Sequence, residues 1–237
     1  MEEVKIGSVA LGGTDVKVCV PLAPRGSSEL FAELDFAGGA ACDIAEWRAD
    51  FWEEEAWRLE LIKEGLMGKP LVFTYRTKKE GGLGVDDDEA YRLVYKRAIL
   101  SGLVEAADIE FTKPDAIKRE IIRAARENGV IVILSLHVFC GEVKREELIE
   151  RLVTMQEAGG DIVKLAVLVR GENEAQEVIS AGKEMYEKYA KRPFITVGMG
   201  EAGRITRKKS PFYGSAVTYA LGLSGTGPGQ MPVSELV

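Results

Sequence analysis

The sequence predicts a (β/α)8 TIM barrel built as a single domain over residues 1–237, and three observations carry that expectation. Apolar, strand-like runs recur eight times along the chain. Helix-patterned stretches lie between most of them, which is the order a parallel sheet requires. The length of 237 residues is long for an ordinary domain but close to the roughly 250 of a closed barrel. No Pro/Ser linker, composition break or low-complexity tract divides the chain, and no repeat is visible beyond the strand and helix alternation.

Taken in order, residues 1–12 are expected to form a short hairpin that covers the barrel floor. The first strand, 16–22, leads to a helix at 28–36; the second, 42–48, to a helix at 53–67; the third, 71–76, to a helix at 87–103. Strand 107–111 is followed by helix 114–128, strand 130–139 by helix 144–158, and strand 161–168 by helix 173–190. Strands 194–199 and 216–223 complete the set. The helical period is clearest after Asp115, where Ile117, Ile121, Ile122 and Ala125 share one face and Lys118, Arg119, Arg123 and Arg126 fall mostly on the other. Residues 224–232 are rich in Gly and Pro and read as a lid.

A hydrophobic fraction of 46% with 29% charged residues fits a soluble globular protein with a substantial core. The net charge of −7, with acids and bases interspersed, offers no basic surface for nucleic acid and directs attention to a small-molecule ligand. The amino terminus lacks a charged-then-apolar signal pattern, and no apolar run approaches the ~18 residues of a membrane span. The expected location is therefore cytoplasmic, with no membrane partner. Cys19, Cys42 and Cys140 are odd in number and far apart, as befits reduced thiols; Cys140 reads as incidental rather than reactive. No His/Cys/carboxylate set has metal-ligand spacing.

The chemistry centres on Lys164, which interrupts an apolar run after Gly159-Gly160. Strands of this kind are buried on both faces, so a lone ammonium there must pair, or lose its proton and become a nucleophile. Nearby Arg48 or Arg76 is expected to favour the neutral amine by like charge. His137, the only histidine in the chain, ends the preceding apolar run. An amine that attacks carbonyls and an imidazole that moves protons are the two parts Schiff-base chemistry needs. Alternation adds more: Glu46 pairs in parity with Arg48, Thr74 with Arg76, Ser135 with His137, and Ile162 with Lys164 and Ala166. Arg207 and Gln230 follow the last two strands on the same rim.

These residues lie in stretches that resemble the type I 3-dehydroquinate dehydratase family. The stretches are Glu46-Trp-Arg-Ala-Asp50, the segment from Phe73 to Gly82, Asp108-Ile-Glu-Phe111, Ser135-Leu-His-Val-Phe139, Lys164-Leu-Ala166 and Met199 to Arg207, then Phe212-Tyr-Gly-Ser215 and Gly227-Pro-Gly-Gln230. Each is weak alone; their order over nearly the whole chain is specific. The resemblance implies a lyase that converts 3-dehydroquinate to 3-dehydroshikimate in the shikimate pathway, without metal or other cofactor, in a family that often forms homodimers. It assigns the imine to Lys164, general acid/base work to His137 and the orienting of that histidine to Glu80. It further implies that Glu46, Arg48, Arg76, Arg207, Thr226 and Gln230 bind the substrate's hydroxyls and carboxylate.

Three departures stand out. Thr226 replaces the family's usual serine, and Cys140-Gly-Glu-Val follows His137-Val-Phe where Thr-Pro is usual. The family also commonly runs on into a longer last helix, so closure of the eighth strand is expected to be weaker or to lean on a partner. Blander readings compete at each position: a snorkelling or paired lysine, a structural Glu46–Arg48 ion pair, a solvated basic face at Arg204–Lys209, and packing roles for Trp47, Trp52 and Trp57. The fingerprint Gly198-Met-Gly-Glu-Ala-Gly203 fits a dinucleotide turn but lacks an acidic residue over the next ~20 positions, so it reads as a close-packed turn. A class I aldolase barrel and a non-catalytic ligand-binding barrel are the rival functions.

Overall fold

The computed structural model describes residues 1–236. Among these residues ten strands and eight α-helices run as β1 Val4–Ile6, β2 Val9–Leu11, β3 Lys17–Leu22, α1 Ser27–Gly39, β4 Ile44–Arg48, α2 Leu59–Gly65, β5 Leu71–Thr74 and α3 Asp88–Leu100. They continue as β6 Ala106–Glu110, α4 Asp115–Glu127, β7 Ile131–Val138, α5 Arg145–Glu157, β8 Ile162–Leu168, α6 Glu172–Glu184, β9 Phe194–Met199, α7 Arg204–Lys208, α8 Ser210–Tyr213 and β10 Val217–Tyr219. Strands β3 to β9 pair in sequence order, all parallel, and β10 returns to β3 with Val217 opposite Lys17 and Tyr219 opposite Cys19. The result is the expected barrel. Its seam between β9 and β10 is thin: Ala216 N–H donates to Phe194 O at 2.8 Å, and the Ser215 hydroxyl accepts from Thr196 N–H at 3.1 Å. Closure there is made within the chain, by individual bonds rather than a ladder.

Two cores follow from the period-two alternation of the strands. Outward residues such as Val20, Trp47, Phe73, Ile109, Leu134 and Leu165 meet the helices, and inward residues Ile44, Val72, Ala106, Ile133, Ile162 and Ile195 fill the barrel. The β1–β2 hairpin plugs the floor beneath that inward layer with Ile6 and Leu11, turning on Gly7 at φ +56°. Trp47 stacks edge-on against Trp52 and Trp57 in the outer core, so the tryptophans pack. Lys118 differs from expectation: it is buried, with its ammonium over the Phe111 ring and bonded to Phe111 O at 2.8 Å.

Several boundaries differ for local reasons. The helix expected at 53–67 begins only at Leu59, because Glu54 bonds the Ser27 N–H and hydroxyl at the start of α1, both at 2.7 Å, and Glu53 N–H joins Arg25 O. Strand β5 stops at Thr74 because its next donors go to side chains, Tyr75 N–H to the Tyr95 hydroxyl and Arg76 N–H to Asp50. Strand β10 stops at Tyr219, where the chain passes so close to β3 that a Cβ on Gly222 would lie 2.3 Å from Pro21 O. The stretch expected as helix to 190 leaves α-geometry after Glu184 and ends in π turns over Met185–Tyr189. The short helix α7 stands where a solvated basic face was read, and it buries Arg207. Gly203 packs against Gly198, its virtual Cβ 2.2 Å from that carbonyl oxygen, which accounts for the glycine fingerprint as a close-packed turn. No described helix is long and apolar enough to cross a membrane.

Candidate active site

The carboxyl ends of the strands carry the polar layer. Register places Arg48 beside Thr74, Thr74 beside Asp108, Glu110 beside Ser135, and Ser135 beside Lys164, so inward parity on neighbouring strands gathers these groups above the aliphatic floor. Among the residues lining the cavity at this rim are Glu46, Arg48, Arg76, Glu80, His137, Lys164, Arg207, Thr226 and Gln230. All nine positions singled out in the sequence therefore meet in one place.

Lys164 is buried but not isolated. Its ammonium bonds Asp108 Oδ2 at 2.8 Å, lies 3.6 Å from Glu46 Oε1 and sits over the Tyr219 ring at 4.0 Å. The expected crowding by arginines is corrected here: its nearest charged neighbours are carboxylates. Arg76 is drawn to the same Asp108 at 2.6 Å, and Ser135 also bonds that carboxylate. Burial alone would raise the Asp108 carboxyl, yet Arg76 and Lys164 outweigh it and hold it well below the usual carboxylate range. Glu46 accepts from the Thr74 hydroxyl at 2.8 Å, while Arg48 forks onto Asp50 with two bonds of 2.8 Å. Glu46 and Arg48 thus do not pair with each other.

His137 Nδ1 lies 3.0 Å from Glu80 Oε2, which also accepts the His137 backbone N–H at 3.2 Å. A carboxylate oxygen that already accepts one N–H favours the Nδ1–H tautomer and leaves Nε2 as the basic nitrogen. Burial first, then the positive charges of Arg76 and Lys164, push the imidazole well below its ordinary value. Glu80 is itself raised by burial, with Arg76 and the Thr112 hydroxyl acting against that rise.

Arg207 is the exception among the cations. It is 5% exposed, and its guanidinium reaches only the carbonyls of Tyr219 at 3.0 Å and Pro228 at 3.4 Å, with Nε unpartnered among the described residues. Burial pulls it down to about 10. A buried guanidinium facing a cavity without a carboxylate of its own invites an anionic ligand. The lid lies across the opening: Arg48 Nη1 donates to Thr226 O at 3.2 Å and Gly200 N–H to Pro228 O at 3.1 Å. Gln230 Oε1 accepts the N–H groups of Thr226 and Gly227, and its Nε2 donates to the Thr226 hydroxyl, so these two side chains hold the loop's own turn here.

Four groups went unassigned in the sequence: Asp50, Asp108, Glu110 and Tyr219. Asp108 and Glu110 carried a signal, since both are acids of the same parity in an otherwise apolar strand. Tyr219 carried none, because an aromatic residue in a barrel strand reads as packing. Cys140 is exposed and outside the cavity lining, and Cys19 is buried in the barrel interior. Among the described residues no group of His, Cys, Asp and Glu is arranged to hold a metal.

Known proteins resemble this chain over nearly its whole length. The family model for type I 3-dehydroquinase matches residues 18–237. A 3-dehydroquinate dehydratase of Clostridium novyi is 38% identical, with 100% of this chain and 96% of that protein covered. The crystal structure of a type I 3-dehydroquinate dehydratase from Clostridium difficile, with covalently modified comenic acid, superposes with a TM-score of 0.93 at 32% identity and covers 99% of this chain and 94% of that one. With a matching barrel, full-length similarity and a family match over nearly all of its residues, the chain belongs to the type I 3-dehydroquinase family.

Proposed function

We infer that this chain dehydrates 3-dehydroquinate to 3-dehydroshikimate and water, a step of the shikimate pathway toward aromatic amino acids, through an imine between Lys164 and the substrate ketone. One observation carries the reading: a buried amine, an imidazole held at Nδ1 by Glu80 and an arginine lacking a carboxylate line the same cavity. The covalently modified comenic acid in the Clostridium difficile relative is consistent with covalent chemistry in this family.

A β-hydroxy ketone loses water by giving up a proton beside the carbonyl, and a protonated imine is a far better electron sink than the ketone. Lys164 adds to the carbonyl carbon after shedding a proton, and the carbonyl oxygen leaves as water. A C–H bond beside the iminium then breaks, its electron pair flows toward nitrogen, and the β-hydroxyl departs with a proton as a second water. Hydrolysis of the conjugated imine consumes one water and returns the lysine, so one water is released overall. His137 Nε2 moves the protons, while Glu80 on Nδ1 keeps the ring oriented and steadies the imidazolium. Asp108 and Glu46 stabilise positive charge on Lys164 as ammonium and as iminium. Arg207 clamps the substrate carboxylate, and the lid excludes water from the imine. With Arg48 and Arg76 already committed to carboxylates, one open arginine suits a carboxylate better than an aldolase's sugar phosphate.

Borohydride added with substrate or product should inactivate the enzyme and place one ligand mass on Lys164, read by peptide mapping. Lys164→Ala should lose both the adduct and formation of the conjugated enone. An adduct on another lysine would sink the assignment.

A further inference from the structure

The chemistry above needs His137 in one tautomer, and that tautomer rests on Glu80, which no strand carries. Glu80 ends a single 3-10 turn, Lys78–Glu80, on the loop that leaves β5. Two side chains at the end of β6 tie that turn down. Glu110 takes the Thr77 N–H on one oxygen at 2.7 Å and the Thr77 hydroxyl on the other at 2.9 Å. The turn then closes on the same residue, with Glu80 N–H and Gly82 N–H both donating to Thr77 O at 3.1 and 2.8 Å. Gly82 leaves no slack, since a Cβ there would lie 2.1 Å from Arg76 O. Thr112 acts on the carboxylate itself: its hydroxyl donates to Glu80 Oε1 at 2.6 Å, which leaves Oε2 for His137.

Asp108, Glu110 and Thr112 alternate along β6 and its exit. One row of side chains therefore holds the Lys164 ammonium at one end and the carboxylate that orients His137 at the other. Charge balance alone does not explain Glu110, because Arg76 meets Asp108 at 2.6 Å and Glu110 only at 3.5 Å. Neither Glu110 nor Thr112 is among the residues that line the cavity.

We propose that Glu110 and Thr112 are positioning residues of the dehydration, fixing Glu80 and, through it, the Nδ1–H tautomer of His137. The proposal rests on the roles given above to His137 and Lys164. It has a direct readout, because His137 is the chain's only histidine and its ring nitrogens need no assignment in a 15N spectrum. The wild type should show a single neutral Nδ1–H form. Thr112→Val, at an exposed position, and Glu110→Ala should each give a mixture of tautomers and lower kcat by roughly tenfold or more at unchanged KM. Glu110→Gln, which keeps an acceptor for the Thr77 N–H, should recover most of the rate. The borohydride adduct on Lys164 should persist in all three. In a Glu80→Ala background, Thr112→Val should add less than about twofold, because the group it acts through is gone.

A single Nδ1–H tautomer in both Thr112→Val and Glu110→Ala would overturn the proposal, and so would a full multiplicative loss in the Glu80→Ala background. Should Glu110→Ala not fold, Thr112→Val decides alone. Absence of any Lys164 adduct in the wild type would defeat the imine reading instead, while the tautomer measurement would still stand.

Discussion

At the scale of single residues, the site works by deciding where each charge resides. Asp108 accepts from Lys164, Arg76 and Ser135 together, so it holds cations in place without reaching for a ligand. Arg207 is buried with carbonyls alone for company, the setting in which a guanidinium gains most from an incoming carboxylate. His137 lies between these extremes. Its depressed folded value means that the native state stays neutral below the ordinary ~6.5 of an unfolded histidine, while the unfolded chain takes up the proton. The histidine's contribution to stability is thus fully present above ~6.5 and is lost as pH falls toward the depressed value. We expect the 15N titration of this sole histidine, and the acid limb of kcat/KM, to lie well below 6.5. A titration midpoint at the ordinary value would show that neither burial nor Arg76 governs the ring.

At the scale of elements, the lid depends on backbone fit more than on its side chains. Gly229 adopts φ +80°, and a Cβ there would fall 2.3 Å from Gly200 O, the turn to which the lid docks. Gly229→Ala should therefore cost about 1–3 kcal/mol of lid docking, with KM rising roughly fivefold to a hundredfold while the rest of the barrel stays folded. Hydrogen exchange checks it: the wild-type segment 224–231 should slow when ligand is bound, and the variant should keep fast exchange. Gln230→Ala should weaken substrate use in the same direction, because it removes the acceptor for Thr226 and Gly227 N–H. Thr226→Ser keeps the hydroxyl that Gln230 Nε2 meets and should be mild. Unchanged exchange in the saturated complex, with wild-type kinetics for Gln230→Ala, would reduce the loop to a connector.

At the scale of the whole molecule, stability and chemistry are stacked at opposite ends of the barrel. The floor is aliphatic, with Ile6 and Leu11 from the hairpin under Ile44, Val72, Ala106, Ile133 and Ile162. The rim above carries the ionisable groups. Leu11→Ala should therefore cost about 2–5 kcal/mol in urea unfolding yet leave kcat of the folded enzyme near wild type. A kcat loss as large as that of a rim variant would mean the floor and the rim are mechanically coupled. The same separation explains why the thin β9–β10 seam is tolerated, since the remaining strand pairs carry continuous parallel ladders.

The sequence by itself determined the strand and helix alternation, the inward parity of Glu46, Arg48, Arg76, His137 and Lys164, and, through its ordered motifs, the family. These are local properties: period, residue type and spacing are carried by neighbours along the chain. Only the tertiary structure decided the partners. That Lys164 rests between carboxylates rather than arginines, and that Glu110 braces the Thr77 turn, depend on register between strands separated by dozens of residues, while the choice of Asp50 over Glu46 by Arg48 is set by the turn that follows β4. Element ends were lost for the same reason: Glu54 caps a helix 27 residues away and Tyr95 accepts the role of a missing strand partner for Tyr75. A charge in a buried strand announces that it must be paired, but which oxygen meets it is a fact of three-dimensional distance, and no periodicity along the chain records it.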